Sequence, residues 1–391
     1  MKQKKKFSLI NEFTVPVMFI IICAIAIYYS GFTAEFLVGQ VLTRFARNAF
    51  LVLSLLLPIM AGLGINFGMT LGAMAGQIAI IFIQDWGMTG LPAILLAAVI
   101  STPIAWLLGM FAGSVLNKAK DREMITSMML GFFMTGVYQF IVLYIFGGII
   151  PFKDPNIIIS RGYGVRNAID LTCQKGTDYF FDRILGTDIS IMGIQIPILT
   201  LIIIALACLF IVWFRKTKLG QDMKAVGQDM KVAEDAGINV DKTRKKAVVM
   251  STVMAAFGQI IYLQNIGNLN TYNGADQVAL YSAAALLIGG ASVSKATITN
   301  ALTGTILFHL MFIVMPTAGA NITGSAMIGE YLRTFVSYAV VTITLILHSV
   351  RRQKERDEAM ETLRTGPAVA PPKKNKDKKN TDSRLLFFME I

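Results

Sequence analysis

Charged side chains are scarce in this chain. They make up 15% of its 391 residues, where a soluble domain carries about a quarter. That shortage argues against an ordinary water-solvated globule. Histidine is scarcer still, with His309 and His348 alone, too few to build a multi-histidine metal centre. The three cysteines, Cys23, Cys173 and Cys208, offer neither metal-ligand spacing nor a disulfide framework. Cys23 and Cys208 fall within apolar runs, where cysteine packs as a small hydrophobe, and Cys173 lies in a polar loop. No Gly-x-x-x-x-Gly-Lys-Ser/Thr phosphate loop occurs, so nucleotide hydrolysis has no signature in this chain. Aromatic and basic residues do not interleave as on a nucleic-acid surface. The formal charge of +12 therefore reads as a positive-inside imbalance, with no nucleic-acid partner.

What the chain has is apolar surface. Hydrophobic residues reach 54%, and the mean hydropathy is +0.60. A spanning helix takes about 20 apolar residues, and lipid offers no water to an open backbone, so long apolar runs read as helices. About ten segments are expected, at 15–31, 49–65, 71–83, 92–116, 124–147, 194–214, 247–263, 278–288, 297–314 and 326–348. The third and eighth are short, rich in glycine and alanine, and read as the re-entrant or broken ones. The fold class is an all-α polytopic membrane protein. A membrane domain at 15–348 lies between a basic N-tail at 1–14 and a basic, disordered C-tail at 349–391. The first apolar run lacks a small-residue cleavage site and reads as a retained span.

Lysine and arginine concentrate in the N-tail, at 118–122, across 215–246, at Lys295 and from 351 onward. Putting all of these on the cytoplasmic side leaves both termini cytoplasmic. Arg44 and Arg47 do not fit, because the same boundaries set them outside or at the outer interface. The segment 150–193 becomes the largest extracellular connection, and its basic and acidic residues nearly cancel. A structureless loop of that length is unusual. It is expected to hold a short helix or pack on the outer mouth, either as a cap or as a docking surface. The C-tail reads as a solvated tail, or as one drawn to membrane lipid by about 1 kcal/mol per basic residue.

The stretch 217–240 is distinctive. Gln-Asp-Met-Lys occurs at 221–224 and again at 228–231, and Met223, Val226, Met230 and Ala233 recur at helical spacing. Gly227 and Gly237 punctuate it, which predicts two short amphipathic helices with a turn between them. Such a pair suits a groove on a cytoplasmic partner. Thr217, Gly220, Ala225-Val226-Gly227, Ala233 and Gly237-Ile238 resemble the cytoplasmic signature of one permease family. That family serves the ATP-binding-cassette (ABC) importers of ribose, other simple sugars, nucleosides and branched-chain amino acids. The similarity continues through 246–261 and Leu286-Leu287-Ile288-Gly289-Gly290. Asn66-Phe67-Gly68 and Gly72-Ala73-Met74-Ala75-Gly76-Gln77 are similar to the nucleoside branch. The chain departs from the pattern where Met74-Ala75 replaces an acid, and where Ala291-Ser292-Val293-Ser294 replaces further glycines.

The resemblance implies a type II importer architecture like that of the vitamin B12 permease. It implies a dimer with a second permease, identical or a sister chain, and a pathway between the two. It also implies cytoplasmic ABC ATPase subunits holding ATP and magnesium, and an extracellular solute-binding protein or lipoprotein. This chain would then be non-enzymatic and bind no cofactor or metal. Gly220, Ala225, Val226, Gly227, Ala233, Gly237 and Ile238 would couple it to the ATPase.

Candidate pathway residues are neutral amides: Asn66, Gln77, Gln139, Gln264, Asn265, Asn268 and Asn270. Amides beside broken helices can hold a polar solute weakly. They also hydrogen-bond between helices, which is the competing reading. His309, within a span, is read as a neutral, hydrogen-bonded structural residue, and His348 as interfacial. Asp85, Asp276 and Glu330 sit at span edges. The interiors thus lack the carboxylates that ion-coupled carriers place there. The alternative function, a self-sufficient carrier or channel, would need an ion gradient and no ATPase. For the solute, the motifs lean toward a nucleoside or simple sugar ahead of branched-chain amino acids.

Overall fold

The computed structural model describes residues 2–120, 122–159, 164–171, 190–191 and 194–336, and singly 338, 339, 342 and 346. The chain divides into two units, 1–345 and 346–391, and the architecture below is that of the first. Cys173, His348, most of 172–193 and the C-tail lie outside the described residues.

The helices in chain order are α1 (Lys2–Ser30), α2 (Ala34–Ser54), α3 (Leu56–Met60), α4 (Met69–Asp85), α5 (Gly90–Lys118) and α6 (Glu123–Phe140, continued by a π turn at Ile141–Ile145). Then follow α7 (Ile198–Phe214), α8 (Lys218–Gln228), α9 (Met230–Asp235), α10 (Val240–Ile266), α11 (Val278–Ile288) and α12 (Ile298–Thr323). A further helical stretch begins at residue 326. Caps explain several boundaries. Thr33 Oγ1 accepts from the Phe36 amide ahead of α2, and Thr297 forms a capping box with Asn300 ahead of α12. Gly267 and Gly324 end α10 and α12 in the left-handed conformation at φ +70° and +72°, which carries no Cβ penalty at glycine.

Among the described residues, five helices are long and apolar enough to cross a bilayer: Ala34–Met60, Gly90–Lys118, Glu123–Ile145, Val240–Ile266 and Ile298–Thr323. The count is six if α7 and α8, bent by 75°, are one span. Val15–Ser30, α4 and α11 are shorter apolar helices. The two segments expected to be short are so. At 1.5 Å per residue, α4 is about 25 Å long and α11 about 17 Å, against about 30 Å of hydrocarbon. Both are buried around nearly their whole circumference, which marks central helices. By contrast α5, α6 and α7 turn Val99, Phe132 and Leu209 outward.

Glycine sets the core spacing. A Cβ on Gly72 would lie 2.1 Å from the Thr252 carbonyl oxygen, and one on Gly76 2.7 Å from that of Ala256. The contacts advance together, so α4 and α10 run parallel. On another side of α10, Gly109 meets Val249 and Gly113 meets Lys245, so α5 runs antiparallel to it. Two glycine pairs at four-residue spacing thus hold α10 at backbone contact, as small residues do between membrane helices. The missing glycines after Gly290 do not loosen α11. Gly289 and Gly304 face each other, each with its imagined Cβ 1.9 Å from a carbonyl oxygen of the other helix.

One expectation needs correction. The second span does not start at residue 49, because α2 begins at Ala34 and carries Arg44 and Arg47 inside the helix. The apolar run is interrupted there, but the helix continues. Arg47 lies over the Tyr262 ring, 5.8 Å from its centroid, and long basic stems can cover apolar surface. In the 150–193 segment the described residues, 150–159, 164–171 and 190–191, include two short strands, and the rest of the segment, where a short helix is expected, lies outside the described residues. Strand β1 (Ala168–Asp170) pairs antiparallel with β4 (Asn268–Asn270) in the register Ile169 to Leu269. Strands β2 (Ser190–Ile191) and β3 (Ile194–Gln195) form a minimal hairpin ahead of α7. The described part packs on its neighbours: Asp85 Oδ1 accepts from the Lys153 and Asp154 amides, and the Tyr272 hydroxyl donates to Val165 O.

Candidate coupling site and solute pathway

The α7–α8 corner is built by Thr217 and Gly220. Thr217 Oγ1 donates to Phe214 O at 2.7 Å and accepts from the Gly220 amide at 3.2 Å. A Cβ on Gly220 would sit 2.1 Å from Phe214 O, so no larger residue fits this fold-back. Two short helices follow, as the periodicity predicts, but the turn between them is not at Gly227. Gly227 lies within α8, and the break is Asp229, extended at φ −156° and ψ 117°. Its carboxylate accepts from the Lys231 and Val232 amides at 2.8 and 3.1 Å, an N-cap that starts α9. The sequence signal was the aspartate, which competes well for cap positions.

Gly227 has a different task. A Cβ there would lie 2.2 Å from Met60 O, and one on Gly62 would lie 3.0 Å from Gly227 Cα. The knuckle therefore rests its bare backbone on the 61–68 segment, where Gly62 and Gly64 open the chain between α3 and α4 at φ +75° and +71°. Val226, Ala233 and Val240 close a small apolar cluster, flanked by Ala225, Met230 and Ile238. Gly237 ends the knuckle at φ +82° and is exposed. Most of the signature residues thus face inward and fix the knuckle's shape. Its outward face carries Gln228, Lys231, Val232 and Glu234, and the apolar Val232 is 64% exposed. Sequence reasoning passed over that residue, although an apolar position off the buried helical face was its signal.

The base of α10 is clasped to its neighbours. Arg244, fully buried, pairs with Glu123 in the first turn of α6. Lys120 pairs with Asp241 at 3.0 Å, and the Asn117 amide donates to Asp241 O.

The pathway candidates separate into two places. Gln77, Gln139, Asn268 and Asn270, followed in chain order from Gln264 and Asn265, gather around β4 and the 271–277 turn. Gln139 Nε2 donates to Tyr272 O and Asn273 Oδ1 at 3.3 and 3.2 Å. An imagined Cβ on Gly274 would lie 2.4 Å from both Gln77 Nε2 and Asn270 O. Gln264 and Asn265 are buried at the end of α10, and Asn268 and Asn270 are exposed on β4. Asn66 is elsewhere. It sits in the 61–68 segment near the knuckle and accepts from the Gly68 amide at 3.0 Å. Gln77 is fully buried with neither amide atom paired among the described residues. The same holds for Gln259 on α10, which the sequence reading missed, and whose Cβ would be 3.1 Å from one on Gly76. His309 packs edge-on to Phe308, and its buried Nδ1 has no hydrogen-bond partner among the described residues. Asp276, in the 271–277 turn, accepts from Thr135 Oγ1 at 3.2 Å. Burial holds its carboxyl above the usual carboxylate range, against the opposing pull of that hydrogen bond.

The family model described as branched-chain amino acid transport system / permease component matches residues 37–347. The chain belongs to this permease family. The nucleoside ABC transporter permease protein NupB of Lactococcus lactis is 23% identical over 317 residues, 79% of each chain. The galactose/methyl galactoside import permease MglC of Escherichia coli is 26% identical over 39% of this chain and 44% of its own. The xylose transport permease XylH of Haemophilus influenzae is 33% identical over 26% of each. No solved structure matches. This permease is therefore a multi-pass inner-membrane component of an ABC importer for a small polar solute. It is non-enzymatic, and membership implies a separate ATPase and a binding protein as partners.

Proposed function

We propose that this permease admits a nucleoside or a simple sugar, and that the α8–α9 knuckle transmits the ATPase stroke to the broken segment leading into α4. The observation that carries this reading is the backbone contact of Gly227 on Met60 and Gly62. No side chain lies between the knuckle and the break, so displacement of one displaces the other. Asn66 lies in that break, and Gln77 lies midway along α4, beside Gly274 of the 271–277 turn. Neutral amides suit a solute that has to leave again. The relatives lean toward nucleosides and sugars by their names.

The wider assembly belongs to the same proposal. It comprises about ten membrane segments across 15–348 in a type II architecture like that of the vitamin B12 permease, and a dimer with an identical or sister permease. The 1–14 and 349–391 tails and the 215–246 coupling loop are cytoplasmic, and 150–193 is extracellular. ATP and magnesium reside in the partner ATPase, which receives the outward face of the knuckle, and the permease binds no cofactor.

Gly227→Val tests the coupling. In cells with the cognate ATPase and binding protein, the variant is expected to reach the membrane, because its clash falls at the knuckle and not within the α4–α10 packing, with uptake reduced at least about tenfold. Overpacking of this kind costs about 1–3 kcal/mol. Undiminished uptake by that variant, or solute accumulation by the purified chain alone, would overturn the reading.

A further inference from the structure

A cavity of about 970 Å³ runs between α7 on one side and α5 and α10 on the other. Its walls are apolar, with Ala98 and Trp106 from α5, Leu206 and Phe210 from α7, and Val253 and Phe257 from α10. None of the amides proposed for the pathway lines it. A sugar or nucleoside there would leave its hydroxyls unpaired, so the cavity is no part of a polar route.

Its polar residues are all of one kind and all at one end. Lys242, Lys245 and Lys246 stand together on the first turns of α10. The opposite end is reached at Ile260 and Ile261. Fourteen to nineteen residues of helix separate the two ends, roughly 21–28 Å, approaching the thickness of a bilayer's hydrocarbon. The neighbouring Asp241 is already engaged by Lys120 at 3.0 Å. No described acidic residue pairs with any of the three lysines. The groove is thus a bilayer-length apolar trough with a cationic mouth at the membrane surface.

We propose that this groove binds an anionic phospholipid, its acyl chains along α5, α7 and α10 and its phosphate on Lys242, Lys245 and Lys246. Charge complementarity decides the occupant. Basic clusters at a helix end beside the membrane attract anionic headgroups, while a zwitterionic head brings an ammonium that the lysines repel. A second copy of the chain would bring an apolar helix and leave the lysines unanswered. The bound lipid lies between α7, which leads into α8, and α10, which follows α9. Both helices that carry the knuckle therefore rest on it. The inference relies on membrane embedding alone and is independent of the solute and of the coupling stroke.

The test is mass spectrometry of the intact, non-denatured chain released from phosphatidylglycerol or phosphatidylcholine nanodiscs. Wild type is expected to retain phosphatidylglycerol at least about tenfold better than phosphatidylcholine. The combined variant K242Q/K245Q/K246Q, altered at positions that are exposed or half-buried, is expected to erase the preference while remaining monodisperse. Ala98→Trp, which fills the trough and leaves the lysines intact, is expected to lower retention of both lipids. Equal retention of the two lipids by wild type would overturn the proposal. So would an unchanged preference in the lysine variant, or a Leu206→Cys cross-link between two copies in native membranes. Because neither solute nor ATPase is present, any of these failures leaves the transport reading standing.

Discussion

Asp229 and Gly227 differ by two positions and have opposite tasks, and only one of them was legible. Helical spacing foretold two short helices, yet it assigned the break to the glycine, because glycine is the commoner punctuation. What the spacing does not encode is the far surface: Gly227 is small because Met60 O lies where its side chain would be. Asp229→Ala removes the cap of α9 and is expected to cost about 1 kcal/mol, read as a lower midpoint in thermal unfolding of the detergent-solubilised chain. Glu123→Gln acts more strongly. It leaves Arg244 buried without its counter-charge, which typically costs about 3–5 kcal/mol, and a midpoint within a degree of wild type would contradict the ion pair. Gln259→Leu should do the reverse. An amide with no partner loses nothing by becoming apolar, so stability should hold or rise while uptake falls if the solute passes it. For Asp276 the folded pKa is raised, so the unfolded chain gives up its proton first as pH rises. Stability relative to Asp276→Asn is therefore expected to fall through the carboxylate range and then level off, as paired melts across that range would register.

At the level of elements, helix identity was readable and helix ends were not. Long apolar runs gave most of the helices, and the glycine- and alanine-rich runs at 71–83 and 278–288 announced α4 and α11 as short. The start of α2 was hidden because Arg44 and Arg47 interrupt the run, and hydropathy cannot see that Tyr262 receives a guanidinium. Strand β1 of the 150–193 segment was also hidden, since its partner lies about a hundred residues further on. The packing of α10 gives a graded prediction. Gly72→Ala meets a backbone carbonyl at 2.1 Å and is expected to abolish the monodisperse peak in size exclusion. Gly113→Ala meets the Lys245 stem at 3.0 Å and its Cα at 3.2 Å, a milder clash that small shifts relieve, and is expected to preserve that peak.

Across the whole unit of residues 1–345, function was more legible than arrangement. Thr217, Gly220, Ala225–Gly227 and Gly237-Ile238 carried the family, and the matching of 37–347 bears that out. The gathering of the amides around 268–277 could not be read from spacing, because it depends on α4, α6 and α10 converging there. The clasp between Ala168–Asp170 and Asn268–Asn270 is accessible to one measurement. Ile169→Cys with Leu269→Cys is expected to cross-link on mild oxidation, visible as a mobility shift after cleavage of the intervening chain.

Contact between two bare backbones has a mechanical signature of its own. No hydrogen bond joins Gly227 to Met60 or Gly62 among the described residues, so the junction resists compression and offers nothing to tension. It behaves as a pushrod resting on a seat. Under the coupling proposed above, the power stroke would be delivered through it, and the recoil would be stored in the helices that were pushed.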